Sequence, residues 1–297
     1  MTLTARATIG SVRGLLAVEE SGHGETLVLI HGLATTRQIW GMVTPALGTA
    51  HRVVTMDVPG FGESAPAGPG FELDAVAQRI ARGLAARGVR APFDLVGHSM
   101  GAGIALALAA ARPRSVRRLV LVAPAGLSGV PWPASSVLVA AADRLLSMRR
   151  ALGPLTDLRW GRRLLLGLAA ADGAGIPPTQ ARLMIDASAG AQRTSPALAG
   201  IARGDLGSLL LRTATPLGVI WGEEDRTIPA RHVKRVRAVR PDVRVVMIER
   251  TGHVPMVERP QAFVNALEAV LSMLDKVATT LDSGPSTVAP SRQLPPP

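Results

Sequence analysis

The segment that most restricts how this chain can fold runs from residue 93 to residue 111. An apolar run, Phe93-Asp-Leu-Val96, leads directly into Gly97-His-Ser-Met-Gly101, and a helix of small residues follows as far as Ala111. A strand that turns at once into a helix leaves little room at the corner, so the positions beside the corner residue must be nearly free of side chains. Glycines flank Ser99 at that spacing. In a chain with this much Gly and Ser the pentapeptide would arise by chance in about one sequence in six. The strand before it and the helix after it therefore carry the inference that Ser99 is projected from a strand-to-helix elbow into a crevice.

The same rhythm extends along the chain. Thr26-Leu-Val-Leu-Ile30, Arg52-Val-Val-Thr-Met56, Arg118-Leu-Val-Leu-Val122, Pro216-Leu-Gly-Val-Ile-Trp221 and residues 243–248 read as short buried strands, with helical spacing over 37–47, 73–87, 230–239 and 260–274. Such alternation predicts an α/β fold, a mostly parallel twisted sheet covered by helices on both faces. Residues 4–19 alternate loosely before Ser21-Gly-His-Gly24, which predicts a hairpin entering the first buried strand. From about 128 to 213 the pattern is helical without a strand, so a helical lid is expected over the carboxyl edge of the sheet, where such folds form binding crevices. The expected organisation is a core of residues 1–127 and 214–275, a lid over 128–213, and a mobile Pro-rich tail over 276–297.

Composition removes several function classes. The chain has no Cys, which excludes disulfides, thiolate nucleophiles and Cys-ligated metals. Its net charge of +11 comes almost wholly from Arg, with Lys only at 234 and 276; a solvated basic surface explains this better than nucleic-acid binding, because aromatics are 3% of the chain and Tyr is absent. The first ten residues lack the apolar core of an export signal, so a cytoplasmic location is expected.

A serine hydroxyl needs a base to become a nucleophile, and the base needs an acid to orient it. Among the six His, His23 lies in a polar turn, His51 precedes a strand and His232 falls in a basic helical stretch. His31 ends the first buried strand before Gly32 and is expected to shape that loop, whereas His98 lies within the elbow. His253, in Thr251-Gly-His-Val-Pro255, follows the last strand and precedes the last helix, so its loop can deliver it to Ser99. For the acid, Trp221-Gly-Glu-Glu-Asp-Arg-Thr-Ile-Pro229 offers Glu223, Glu224 and Asp225. Asp225 best matches the chain order Ser, acid, His and the spacing to Pro229. The rival position, Ala123-Pro-Ala-Gly126, has no carboxylate. Backbone N–H groups of Met100, which starts the helix after Ser99, and of Leu33, in the loop His31-Gly-Leu-Ala-Thr35, are the expected oxyanion donors.

Taken together, these segments resemble the α/β-hydrolase fold family, in its lid-bearing branch of esterases, cofactor-free haloperoxidase-like enzymes, lactonases and carbon–carbon bond hydrolases. The resemblance spans about residues 10–275 and rests on His31-Gly32, Asp57-Val-Pro-Gly-Phe-Gly-Glu-Ser64, Gly97-His-Ser-Met-Gly101, the segment from Trp221 to Pro229, and Gly252-His-Val-Pro255. It implies cleavage of a carboxylic ester, lactone or thioester of a small to medium hydrophobic substrate through an acyl-enzyme. No metal and no organic cofactor are implied. Haloalkane dehalogenases and epoxide hydrolases carry Asp at the elbow, and the latter also need lid tyrosines; both are excluded. Carbon–carbon bond hydrolases follow His-Gly with a glycine-rich loop that His31-Gly-Leu-Ala-Thr-Thr36 lacks, leaving them a minor alternative beside an acyltransferase and a non-catalytic binding protein. Of Trp40, Phe61, Trp132 and Trp160, only Trp40 is expected to face substrate, together with His98, the others being core. The lid arginines would suit an anionic substrate or an acidic membrane surface, though a solvated helix face accounts for them with less assumption.

Overall fold

The computed structural model describes residues 16–66, 68, 70–127, 144, 151–190 and 194–282. Its sheet comprises β1 (Val18–Ser21), β2 (Glu25–Ile30), β3 (His51–Met56), β4 (Phe93–His98), β5 (Val116–Val122), β6 (Leu217–Gly222) and β7 (Arg244–Ile248). The spatial order is β1-β3-β2-β4-β5-β6-β7, and every pairing is parallel except β1 with β3. The chain leaves β2 for β3 on one side and crosses to β4 on the other. This change of direction between β2 and β4 is where such folds place a binding crevice.

Side chains alternate across the strands, so each face of the sheet has its own core. Val28, Ile30, Leu95, Leu119, Leu121, Val219 and Trp221 face α1 (Leu73–Ala86) and α2 (Met100–Ala111). Leu27, Leu29, Val96, Val120, Val122 and Ile220 face the other way, against Trp40, Phe263 and neighbouring side chains. Between β5 and β6 lie α3 (Arg159–Leu166), α4 (Pro178–Gly190), α5 (Thr194–Arg203) and α6 (Leu206–Arg212). After β6 come α7 (Val233–Val239), β7, and α8 (Pro260–Asp282).

Several expected details differ. The first strand does not form a hairpin with β2; it pairs antiparallel with β3, because the turn at 22–24 packs on the backbone of residues 48–51 and carries β2 past it to the far side of β3. The single helix expected over 37–47 is a 3-10 turn, Arg37–Trp40, and a separate helical turn, Thr44–Leu47, with Gly41 between them. The last helix continues past residue 274 to Asp282, well into the segment expected to be tail; residues 283–297 lie outside the described residues. So does much of the expected lid, including Trp132. Its final helix, α6, buries Leu206, Leu209 and Leu210 in the α1/α2 core, so it acts as the crossover that returns the chain to β6.

Candidate active site

Ser99 occupies the corner between β4 and α2 with φ 53° and ψ −113°. This left-handed conformation costs about 1–3 kcal/mol and persists because the surroundings hold it. Its N–H donates to the Val122 carbonyl at 2.8 Å, and its carbonyl accepts from the N–H of Ala102 at 3.1 Å and of Ala125 at 3.2 Å. The flanking glycines are steric requirements. A Cβ on Gly97 would lie 2.3 Å from the Gly101 oxygen, and one on Gly101 would lie 2.4 Å from the Ile30 oxygen.

The residues after β6 and β7 meet this corner. Nε2 of His253 lies 3.0 Å from Ser99 Oγ, and Nδ1 lies 2.7 Å from Asp225 Oδ2. A carboxylate can only accept, so the neutral ring carries its proton on Nδ1 and presents Nε2 as the acceptor for the serine hydroxyl. All three side chains are buried. The carboxylate of Asp225 is itself fixed: Oδ1 accepts from the N–H of Thr227 at 2.9 Å and of Ile228 at 2.8 Å, and Oδ2 also accepts from Trp221 Nε1 at 3.2 Å.

The loop after β2 lies against the elbow, since a Cβ on Gly32 would come within 3.2 Å of Ser99 Cβ. Leu33 follows Gly32 in this loop. Met100 opens α2, so its N–H belongs to the first turn, where no intrahelical acceptor exists. His31 fixes the loop as expected: Nδ1–H donates to the Gly32 carbonyl at 2.8 Å, and Nε2 accepts from the Val58 N–H at 2.8 Å. Burial lowers its pKa, outweighing the opposing attraction of Asp57, which matches this neutral ring. Asp57 in turn accepts from the Arg37 N–H at 2.8 Å and the Glu63 N–H at 2.9 Å, and it pairs with the Arg37 guanidinium.

The two expected substrate contacts are placed differently. Trp40 is fully buried, with its ring 6.5 Å from His98 and 6.0 Å from Phe263, and it is a core residue beneath the site. His98 is also buried, and its Nε2 donates to the His253 carbonyl at 2.8 Å. Burial, then the neighbouring His253 ring, pushes its pKa well below the ordinary histidine value. Its role is to hold the backbone of the His253 loop. Strand alternation explains His98, which ends β4 beside the elbow serine and points away from it. Conversely Trp160, expected in the core, is 58% exposed.

Sequence reasoning missed the groups that brace the acid and the imidazole. The indole N–H of Trp221, four residues before Asp225, could have been suspected because a buried indole seeks an acceptor. Glu258 gave no such signal. Its Oε1 accepts from the Gly252 N–H at 2.5 Å, and the amides of Ala171 and Asp172 also favour its carboxylate form, although burial is stronger and raises its pKa overall. The turn after α3 is fastened to both loops. The Ala169 carbonyl accepts from the His253 N–H at 2.8 Å, that of Leu168 from Thr227 Oγ1 at 2.8 Å, and that of Gly167 from Arg226 at 3.2 Å.

A largely parallel sheet that brings a hydroxyl, an imidazole and a carboxylate together at its carboxyl edge defines an α/β protein with an enzyme-type site. The chain belongs to the alpha/beta hydrolase family, whose sequence profile matches residues 27–266. It is 29% identical over 264 residues to the pimeloyl-[acyl-carrier protein] methyl ester esterase of Aeromonas hydrophila, covering 85% of this chain and 98% of that one. It is 30% identical over 261 residues to the dihydrolipoyllysine-residue acetyltransferase component of the acetoin cleaving system of Cupriavidus necator; the match covers 84% of this chain but only 63% of that protein. Among solved structures, a bacterial membrane phospholipase A described as a virulence factor superposes with a TM-score of 0.72 at 27% identity, covering 88% of this chain and 83% of that one.

Proposed function

We propose that this protein is a serine hydrolase that cleaves a carboxylic ester of a small to medium hydrophobic substrate through an acyl-enzyme. The observation that carries the proposal is the continuous path from Ser99 Oγ through the His253 ring to Asp225, with contacts of 3.0 and 2.7 Å. Nε2 of His253 takes the hydroxyl proton as Oγ attacks the ester carbonyl carbon, and the tetrahedral oxyanion forms between the N–H groups of Leu33 and Met100. The same nitrogen then gives its proton to the departing alkoxide, which leaves as the alcohol. Water enters, loses a proton to His253, and attacks the acyl carbon; as the bond from that carbon to Oγ breaks, His253 returns the proton to Ser99 and the acid product leaves. Asp225 stays ionised throughout and stabilises the imidazolium.

The esterase relative, matched over nearly its whole length, supports an ester as the substrate class. Between β5 and β6, α4, which packs against the turn Arg37–Trp40 that follows the β2 loop, is the expected source of substrate choice. A panel of p-nitrophenyl esters of graded chain length, beside a lactone and a thioester, tests the reading. Turnover should fall at least about 10³-fold in Ser99→Ala, and a fluorophosphonate should label the parent chain and leave that variant unlabelled. Equal turnover in both would refute the mechanism. Adding an alcohol or amine acceptor and analysing the products distinguishes hydrolysis from acyl transfer.

A further inference from the structure

Helix α3 presents two parallel rows to solvent. Trp160 and Leu164 stand one turn apart and Leu168 follows at the same spacing, with exposures of 58%, 67% and 61%. Beside them Arg159 and Arg163, also one turn apart, are exposed. The opposite side of the helix, with Gly161, Arg162, Leu165 and Leu166, is buried, so α3 is anchored to the protein without using the outer rows. Adjacent large apolar side chains left in water on an otherwise anchored helix mark an interaction surface.

The rows are held rigidly beside the candidate active site. Leu168 is exposed through its side chain while its carbonyl accepts from Thr227, two residues after Asp225, and the next carbonyl, of Ala169, accepts from the His253 N–H. Whatever docks on α3 is therefore brought alongside the loops that carry Asp225 and His253.

We infer that this face docks on an anionic lipid bilayer, with Trp160, Leu164 and Leu168 entering the boundary between headgroups and acyl chains and Arg159 and Arg163 meeting lipid phosphates. The shape and charge of the face carry the choice of occupant. A stable protein partner needs about 800 Å² on each side, far more than the outer rows of a two-turn helix offer. A bilayer needs only a shallow apolar ridge, an interfacial aromatic ring and adjacent cations. The net charge of +11 acts in the same direction. The purpose of such docking, delivery of an acyl ester to Ser99, rests on the proposed ester hydrolysis; the docking itself does not.

Flotation of the full chain with phosphatidylcholine vesicles, and with vesicles that also contain phosphatidylglycerol, tests the inference. The protein should float with the anionic vesicles at low salt and not with the neutral ones. In R159E/R163E, two reversed charges at about 1 kcal/mol per charge near the surface should weaken binding more than tenfold, and W160A/L164A should abolish it. Trp40 and Trp221 are fully buried, so in a W132F background a blue shift of tryptophan emission on anionic vesicles should vanish when W160F is added. Turnover of a water-soluble ester should be unchanged in all three variants. Absence of flotation with anionic vesicles, or equal flotation of the charge-reversed variant, overturns the inference. A dimer in sedimentation velocity that W160A/L164A dissociates also overturns it, and assigns the face to a second copy. A chain that floats but has no esterase activity refutes the proposed function alone.

Discussion

The carboxylate of Asp225 accepts four hydrogen bonds and donates none, which makes Asp225→Asn an unusually informative perturbation. An Asn side chain has one acceptor oxygen and one NH₂ group, so one pair of donors must lose its partner. If the NH₂ faces Thr227 and Ile228, two part-buried backbone N–H groups lose their acceptor together. If it faces His253, it donates to Nδ1, and the ring then carries its proton on Nε2 and cannot accept the hydrogen of Ser99. The backbone pair lies at 2.9 and 2.8 Å, whereas on the ring side the indole bond is longer, at 3.2 Å, and the indole has a second acceptor in the Ile228 carbonyl at 2.9 Å. The second arrangement therefore costs less and should prevail. Wrong-tautomer substitutions of this kind lower kcat about 10⁴-fold, or about 5.5 kcal/mol of transition-state stabilisation. One unsatisfied buried contact costs about 1–3 kcal/mol, which at about 2 °C per kcal/mol for a chain of this size lowers Tm by roughly 2–6 °C. Initial rates on a p-nitrophenyl ester, normalised by folded protein, give kcat, with KM expected to change little. A D225N protein that keeps more than about a tenth of parental kcat would refute the role assigned to Asp225.

Trp40→Ala should lose about 3–5 kcal/mol of stability as a cavity-forming change, whereas Trp40→Phe should leave KM for every ester unchanged; an altered chain-length preference in the Phe variant would restore a substrate-facing role. Glu258→Ala, by releasing the Gly252 N–H beside His253, should lower kcat at least about tenfold without raising KM; Glu258→Gln keeps an acceptor and removes a carboxylate whose ionised form burial disfavours, so its Tm should not fall. At the other end of the sheet, Asp94 is fully buried and accepts from Arg118 Nε at 2.8 Å and from Arg117 at 3.0 Å. Burial would raise its pKa, but the two guanidiniums outweigh burial and hold it below the ordinary carboxylate value. The unfolded chain therefore takes up this proton first, and the stabilisation is complete above about pH 4 and lost as pH falls through the lower folded-state value. Asp94→Asn should cost about 3–5 kcal/mol at neutral pH, and the Tm gap between parent and variant should narrow on acidification; a gap that is constant with pH would refute the ion-pair explanation.

The sheet and the Ser99, Asp225 and His253 positions were legible because they depend on local rules: apolar runs of strand length, a glycine-flanked corner, and loops that must emerge at one edge. What was not legible depends on tertiary partners. Trp40 and Trp160 take the reverse of their expected places, since a lone Trp on a short helical segment gives no sign of which face meets the sheet. His98 lies next to the serine in sequence, yet its ring bonds to a carbonyl 155 residues away. The pairing of β1 with β3 skips a strand and cannot be told from a hairpin by alternation alone. Glu258 lies in an ordinary-looking stretch, Met256-Val-Glu-Arg259, and its function as a brace is set by amides on a turn that no sequence pattern ties to it.

The double fastening of residues 167–169 divides the region between β5 and β6 into parts with different freedom to diversify. A substitution that shifts this turn displaces the base and its orienting acid together, so selection for a new substrate acting there would meet an immediate loss of turnover. The helix α4 packs both on α3 and on the turn at Arg37–Trp40, and changes confined to the second contact leave that linkage intact. Libraries aimed at altered specificity should therefore be weighted towards α4 and keep residues 167–169 fixed.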